Sequence, residues 1–519
     1  MMMVGSEETD LKHRLCASGK SLQPGRAVAI LGSGCSFSMG NIVWGGSVVM
    51  VKKRCKQIVR HIACCCLAFA LLANYAFGKQ WNVLFIAVDD LNDWIGCLGG
   101  HPQTETPHLD RLARSGLVFT NAHCAAPACN PSRAALMTGI SPARSGMYVN
   151  AQRWKQNKLL ANQATLPQHF KQNGYLALGA GKLYHGGQEH AASWHTFVEK
   201  TADRGPANPD RQLRPLNGIG RGTGHFDWGP VAASDDDMND WQIAQWAASQ
   251  VAKQHDKPFF VGCGIYRPHL PWYVPAKYFD GLSAEGMQLP TVLDDDLSDI
   301  PPAGVRMAAP DGDHRRVVEA GQWQNAVRSY LASIRFADAC VGQVLDALDN
   351  GPNADSTIVI LWSDHGWHLG EKQHWRKFAL WEEATQVVMM TRVPGVTRPG
   401  SQCDTAVSLL DIYPTLIDVC GLPPRDELDG HSLAPLLASQ ELDPLRCVVT
   451  THMQGNHSVR DAHYRYIRYA DGGEELYDHR TDPSEWKNVV NDAAYVEVKN
   501  RLAKQLPKTN AAYDPPRRN

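Results

Sequence analysis

The sequence predicts an α/β fold: a large, mostly parallel sheet covered by helices, with a small antiparallel subdomain at the C-terminal end. Three observations predict it. Apolar runs such as Val83 to Val88 lack the polar alternation of a half-exposed strand, and a strand apolar on both faces belongs inside a parallel sheet. From Trp81 onward such runs alternate with amphipathic segments, the order that builds a sheet with helical covers. After about Pro435 the texture changes to short period-two runs with Gly-containing turns, which read as antiparallel strands.

The elements follow in order. Pro107 opens a helix through Leu109, Leu112 and Ala113 that Gly116 stops. A helix over Leu166 to Gln172 ends at Asn173-Gly174 and leads into a strand, Tyr175 to Leu178. A helix from Trp241 to Gln254 precedes a strand from Pro258 to Gly262. The longest helix, Val327 to Leu348, carries Leu331, Ile334, Ala337, Val341, Val344 and Leu348 on one face. Thr357 to Trp362 and Val387 to Met390 are further strands, and Val448 to Thr451, His463 to Tyr469 and Glu475 to Tyr477 are C-terminal ones. Two segments rich in Pro and Asp, Asp203 to Asp240 (rich in Gly as well) and Leu289 to His314, are expected as irregular rims that shape substrate choice.

A chain of 519 residues, 44% apolar and 20% charged, has room for one large domain and a small appended one. The formal net charge of −2 makes no electrostatic case for a nucleic-acid partner. Residues 1–49 show no periodic pattern and read as an upstream extension of a protein that starts at Met50. Residues 50–78 form a signal peptide: a basic Met50 to Lys56, an apolar Ile62 to Leu72, and small residues at Ala76-Phe77-Gly78 before cleavage at Lys79. The apolar run is shorter than the roughly 20 residues of a spanning helix, so no stable membrane anchor is expected. The protein is then exported, to the periplasm or beyond. The main domain is assigned to 79–435 and the C-terminal subdomain to 436–519. Of fourteen cysteines, six lie at or before Cys66. The remainder suggest a large exported enzyme with one or two disulfides and some buried thiols.

The chemistry centres on Cys129-Asn130-Pro131-Ser132-Arg133, followed by Met137-Thr138-Gly139. Asn130 reads as an N-cap and Pro131 as the first helical residue. Cys129 then stands just before a helix N-terminus, where free N–H groups and the dipole favour an anion, with Arg133 adding a fork of donors. Two acidic segments end predicted strands: Asp89-Asp90 after Val88, and Asp364-His365 after Trp362 and Ser363. Ligands of open α/β sheets bind at the carboxyl ends of strands. Carboxylates gathered there repel one another unless a cation joins them.

The Cys-x-Pro-Ser-Arg motif with its Thr-Gly resembles the signature of type I sulfatases. Asn130 stands where many members carry a small residue. The segments Asn82 to Asp90, Ser363-Asp364-His365-Gly366, Gly181-Lys182-Leu183-Tyr184-His185, Arg267-Pro268-His269-Leu270-Pro271 and Gly370-Glu371-Lys372 to Trp375-Arg376-Lys377 resemble further motifs of the family. The likeness spans about Asn82 to Asn491 and is strongest toward iduronate-2-sulfatase and its bacterial relatives. It implies an alkaline-phosphatase-like sandwich in which 79–435 is catalytic, and conversion of Cys129 to formylglycine by a formylglycine-generating or anaerobic sulfatase-maturating enzyme. It also implies calcium, preferred over magnesium, on Asp89, Asp90, Asp364, His365 and the residue at 129. Lys182, His269, Trp367, His374 and Lys377 are implied to bind the substrate, a sulfated carbohydrate.

By the same resemblance the hydrated aldehyde at 129 attacks sulfur, Arg133 and the metal lower its pKa, and Asp364 accepts its proton. His269, helped by Lys377, protonates the leaving oxygen. Lys182 and Arg133 offset charge on the sulfuryl oxygens. His185 deprotonates the second hydroxyl and expels sulfate. Two other readings are a phosphonate or phosphate ester hydrolase of the same fold and a non-catalytic glycan-binding relative.

Overall fold

A computed structural model of the chain describes residues 80–186, 188–198, 213–219, 225–440, 443–513 and 515. The upstream extension, the signal peptide and part of the first predicted rim lie outside the described residues.

Eight strands form the main sheet: β1 Asn82–Val88, β2 Leu117–Phe119, β3 Leu176–Gly181, β4 Thr196–Val198, β5 Phe259–Ile265, β6 Thr357–Ser363, β7 Met389–Arg392 and β8 Ser401–Cys403. Their order across the sheet is β8-β2-β7-β6-β1-β5-β3-β4. β1 lies at the centre, parallel to β5 and β6, with Val88 beside both Ile265 and Ser363. β1, β5 and β6 are buried along their whole length, as their unbroken apolar runs require. β7 starts two residues later than predicted and runs antiparallel to both β6 and β2.

Helices α1 Pro107–Ser115, α2 Cys129–Thr138, α3 Leu166–Gln172, α4 Asn239–Val251, α5 Pro302–Ala308, α6 Asp313–Glu319 and α7 Trp323–Asp349 accompany the sheet. Side chains of β1 alternate between two apolar cores: Leu84, Ile86 and Val88 pack with α4 and α7, and Val83, Phe85 and Ala87 pack with α2 and α3. A helical layer on each face makes a three-layer sandwich. The second predicted rim is irregular over residues 289–301, and then Pro301-Pro302 starts α5 with Pro inside its first turn and α6 follows it. What is described of the first rim includes a strand at Trp228–Val231, paired with Trp272–Pro275.

The C-terminal subdomain has four antiparallel strands: β9 Val448–Thr451, β10 His457–Arg460, β11 Tyr464–Arg468 and β12 Glu474–Asp478. The polar β10 was not anticipated. Thr451 N donates to Ala125 O at 2.9 Å, which fastens this sheet beside the start of α2. The expected disulfides are absent: the eight cysteines among the described residues are all free. Most are buried and serve as small apolar groups, and burial pushes the thiols of Cys97 and Cys420 up to about 12.

Candidate active site

The parallel register of β3, β5, β1 and β6 sets their carboxyl ends side by side. Every motif named from the sequence leaves the sheet along that edge or meets it from outside. In a strand, successive side chains point to opposite faces. Asp90 escapes that rule by adopting φ 57°, a left-handed conformation that Asp tolerates, and its carboxyl turns toward the same centre as that of Asp89. Tyr330 of α7 holds the turn, its hydroxyl donating to Asp90 O at 2.7 Å.

Cys129 is fully buried. It is the first residue of α2, with Ala128 as N-cap, so Asn130 and Pro131 sit two positions deeper in the helix than the sequence suggested. The reason is that the Asn130 carboxamide is used elsewhere. Its Nδ2 donates to Gln152 O at 2.5 Å and Asn150 O at 3.2 Å, which pins the motif to the 149–152 turn.

Around the Cys129 sulfur stand Lys377 Nζ at 3.1 Å, His365 Nε2 at 3.3 Å and Asp90 Oδ1 at 3.9 Å. Arg133 donates from Nη2 to Asp89 Oδ1 at 2.9 Å and from Nε to Asp364 Oδ2 at 2.8 Å. Lys182 pairs with Asp89, and Lys377 Nζ with Asp90 Oδ1 at 2.6 Å. Burial opposes the charge on Asp89, but Lys182 and Arg133 outweigh it and hold the carboxyl well below the usual range. Burial wins at Asp90, which rises to about 7 despite Lys377. For both lysines the neighbouring carboxylates outweigh burial and keep the ammonium charged.

The donor set suits a divalent cation. Ligand atoms of Asp89, Cys129, Asp364 and His365 lie within 4.8 Å of one another, as do those of Asp89, Asp90, Cys129 and His269. Asp90 Oδ2 is buried without a hydrogen-bond partner, a costly state that a cation would relieve. Three carboxylates with one imidazole favour a hard cation such as calcium.

His185 and His269 join the centre from the loops after β3 and β5. His269 Nδ1 faces Leu270 O at 2.6 Å, which leaves Nε2 toward Asp90 Oδ2 at 3.8 Å. The buried Nδ1 of His185 has no partner. Burial, followed by the charge of Lys182, lowers this ring to about 4, so it is neutral and able to take a proton.

Two predicted substrate contacts are placed differently. Trp367 is buried, with Lys377 Nζ 5.3 Å from its ring centroid, so it supports the lysine from beneath. His374 spends both ring nitrogens on main-chain carbonyls of Ala308 and Lys377. Their loop is strained: Lys372, Gln373, Arg376 and Phe378 all have φ between 49° and 76°, at about 1–3 kcal/mol each. Sequence reasoning also passed over Tyr266, whose ring lies 4.5 Å from Lys182 Nζ. Its position directly before Arg267-Pro268-His269 was the available signal. Ser132 was part of the motif but was given no role, and its Oγ donates to Asp364 O at 2.6 Å.

A buried cysteine in a cluster of three cations and three carboxylates, at the carboxyl edge of this sheet, is an arrangement suited to anionic esters, on an alkaline-phosphatase-like fold. The Sulfatase family model matches residues 81–422, and the model described as N-sulphoglucosamine sulphohydrolase, C-terminal, matches residues 370–512. The chain belongs to the sulfatase family and is a sulfuric ester hydrolase. It is 39% identical over 450 residues to a sulfatase of Formosa agariphila, covering 83% of this chain and 87% of the relative. It is 30% identical over 400 residues to human iduronate 2-sulfatase, covering 66% of this chain and 70% of the relative. In fold it resembles the phosphonate monoester hydrolase of Agrobacterium radiobacter, with TM-score 0.67 at 22% identity over 82% of this chain and 95% of that one.

Proposed function

We propose that this protein removes sulfate esters from a sulfated sugar of glycosaminoglycan or algal polysaccharide type, as an exported, iduronate-2-sulfatase-like enzyme. The observation that carries the reading is Lys377 Nζ standing 3.1 Å from the sulfur of the residue at 129, with Arg133 and Lys182 both paired to Asp89 of the same cluster. Three charged donors in one cluster with a nucleophile match the oxygens of a sulfuryl group. Among the described residues no helix is long and apolar enough to cross a membrane.

In this reading Cys129 is converted to formylglycine by a maturating enzyme, and the hydrated aldehyde supplies the nucleophile. Calcium, with Asp89, Asp90, Asp364, His365 and the residue at 129 as ligands, would supply charge for the sulfuryl oxygens. The chain's own residues do the rest. Arg133 fixes Asp89 and Asp364 in place, and Asp364 accepts a proton at the nucleophile. Lys182 binds a sulfuryl oxygen. Lys377 and His269 Nε2 face the leaving oxygen, where the ammonium stabilises developing charge and His269, helped by Lys377, supplies the proton with which the sugar hydroxyl departs. His185, held neutral, accepts the proton that regeneration releases.

The test is the mass of the Cys129 peptide from protein made in its native host or with a maturating enzyme, followed by a panel of sulfate, phosphate and phosphonate esters. An aldehyde or its hydrate together with preference for sulfated sugars is the expected outcome. Preference for a phosphonate or phosphate ester favours the sister activity. An unmodified thiol in metal-loaded protein that binds glycans without turnover favours the non-catalytic reading.

A further inference from the structure

His374 is 8% exposed, with Nδ1 2.8 Å from Ala308 O and Nε2 2.9 Å from Lys377 O. A carbonyl oxygen only accepts, and a neutral imidazole carries a single N–H. In the neutral ring one nitrogen lone pair would face a carbonyl oxygen at hydrogen-bond distance. The doubly protonated ring donates to both.

We propose that His374 is a positioning residue that works as an imidazolium, tying the carbonyl of Lys377 to the last residue of α5 and so fixing where the Lys377 ammonium stands. The proposal rests on the reading of Lys377 as the group on the leaving oxygen. The surrounding backbone explains the need. Pairing of Trp375–Arg376 with His368–Leu369 ends before Lys377, and Arg376 and Phe378 on either side of it have φ 76°. A strained turn without a ladder needs a side chain to close it, and His374 spans it from 374 to 377.

The same geometry makes the tie depend on protons. The groups facing the ring come from each neighbouring element: Asp313 and His314 from α6, Arg376 from its own loop, His368 with ring centroids 5.0 Å apart and Lys372 beside it, and His452 following β9. Asp313 is the one anion among these and favours the charged ring. Burial works against it and sets the ring below its ordinary value. The tie is therefore closed in acid and opens as pH rises.

The experiment follows histidine ring nitrogens of the full 15N-labelled protein by NMR across pH, with His374 assigned by difference from His374→Gln or, as a second variant, His374→Asn. The same samples are assayed with phenyl sulfate and p-nitrophenyl sulfate. Nitrophenolate departs without help and phenolate does not, so the ratio of their kcat values reads assistance at the leaving oxygen. We expect both nitrogens of His374 to be protonated in acid, with the phenyl-to-nitrophenyl ratio falling as one proton is lost. In the variants the ratio is at least about tenfold lower than in the native protein in acid and flat with pH, the loss expected for misplaced proton assistance. An unprotonated nitrogen at every pH where the protein is folded overturns the proposal, whatever the substrate. Equal losses on both esters also overturn it, since a merely structural role produces that pattern. A doubly protonated ring in a native protein whose phenyl-to-nitrophenyl ratio is flat with pH supports the tie and overturns the assignment of Lys377 to the leaving oxygen.

Discussion

Lys377 places its ammonium nitrogen 3.1 Å from the sulfur of Cys129, across 248 positions of sequence. Asp90 Oδ1 holds that ammonium at 2.6 Å, and the Trp367 ring lies beneath it. A lysine so held is a fixed donor. Lys377→Met is expected to lower kcat on sugar sulfates by about 10²–10⁴-fold, the range for losing positioned proton assistance. Turnover of p-nitrophenyl sulfate should fall much less. Equal losses on the two substrates would place Lys377 on the sulfuryl oxygens instead.

Cys129→Ser should abolish turnover while leaving the fold intact. Ser differs by one atom at a position already surrounded by donors, so a stability change of no more than about 1 kcal/mol is expected. Full steady-state activity in this variant would refute a nucleophile that needs two hydroxyls.

Arg133 is a single guanidinium shared by two buried carboxylates. Removing one partner of a buried ion pair leaves charge uncompensated and costs about 3–5 kcal/mol. Arg133→Met is expected to lose stability on that scale in urea denaturation. A lysine cannot reproduce the fork, so Arg133→Lys should behave more like the methionine variant than like the native protein.

Calcium should stabilise the chelator-treated protein by about 2.7 kcal/mol at a concentration 100 times its Kd. The measurement is Tm against calcium concentration. Asp90→Asn, which takes one charge from the cluster, should shrink the increment. A calcium-independent Tm in the native protein would remove the metal from the proposed site.

His457 in β10 is buried, with Nδ1 3.0 Å from Thr451 Oγ1. Burial lowers this ring to about 4. The unfolded chain, with an ordinary histidine near about 6.5, binds the extra proton first. The stability this group contributes is therefore present above about pH 6.5 and lost as pH falls toward 4, on the order of 2–3 kcal/mol. Denaturation of the native protein and of His457→Phe from pH 7.5 to 4.5 checks this. The variant should show the shallower decline.

Much of the architecture is legible along the chain, because a strand buried on both faces must be apolar throughout and a covering helix must carry an apolar stripe. Val83 to Val88, Thr357 to Trp362 and Val327 to Leu348 satisfy those conditions locally. Asp89-Asp90 and Asp364-His365 are legible for the same reason, since a strand's end is where its polar residues can begin. The motif around Cys129 is also local, and it located the centre even though its helix begins two residues earlier than read.

What the sequence by itself determined, then, is the set of elements and the segments that leave them. Tertiary structure decided how individual side chains are spent. Asn130 looks like a cap until the 149–152 turn takes its carboxamide. His374 looks like a substrate contact until Ala308, 66 positions away, claims one ring nitrogen. The cysteines look like a source of disulfides, yet the eight among the described residues are all free thiols. The antiparallel direction of Met389–Arg392 likewise depends on partners at 117–118 and 359–362. Hydrogen bonds and burial couple residues far apart in sequence, and a local pattern carries the preferences of a segment without the identity of the partner that meets it.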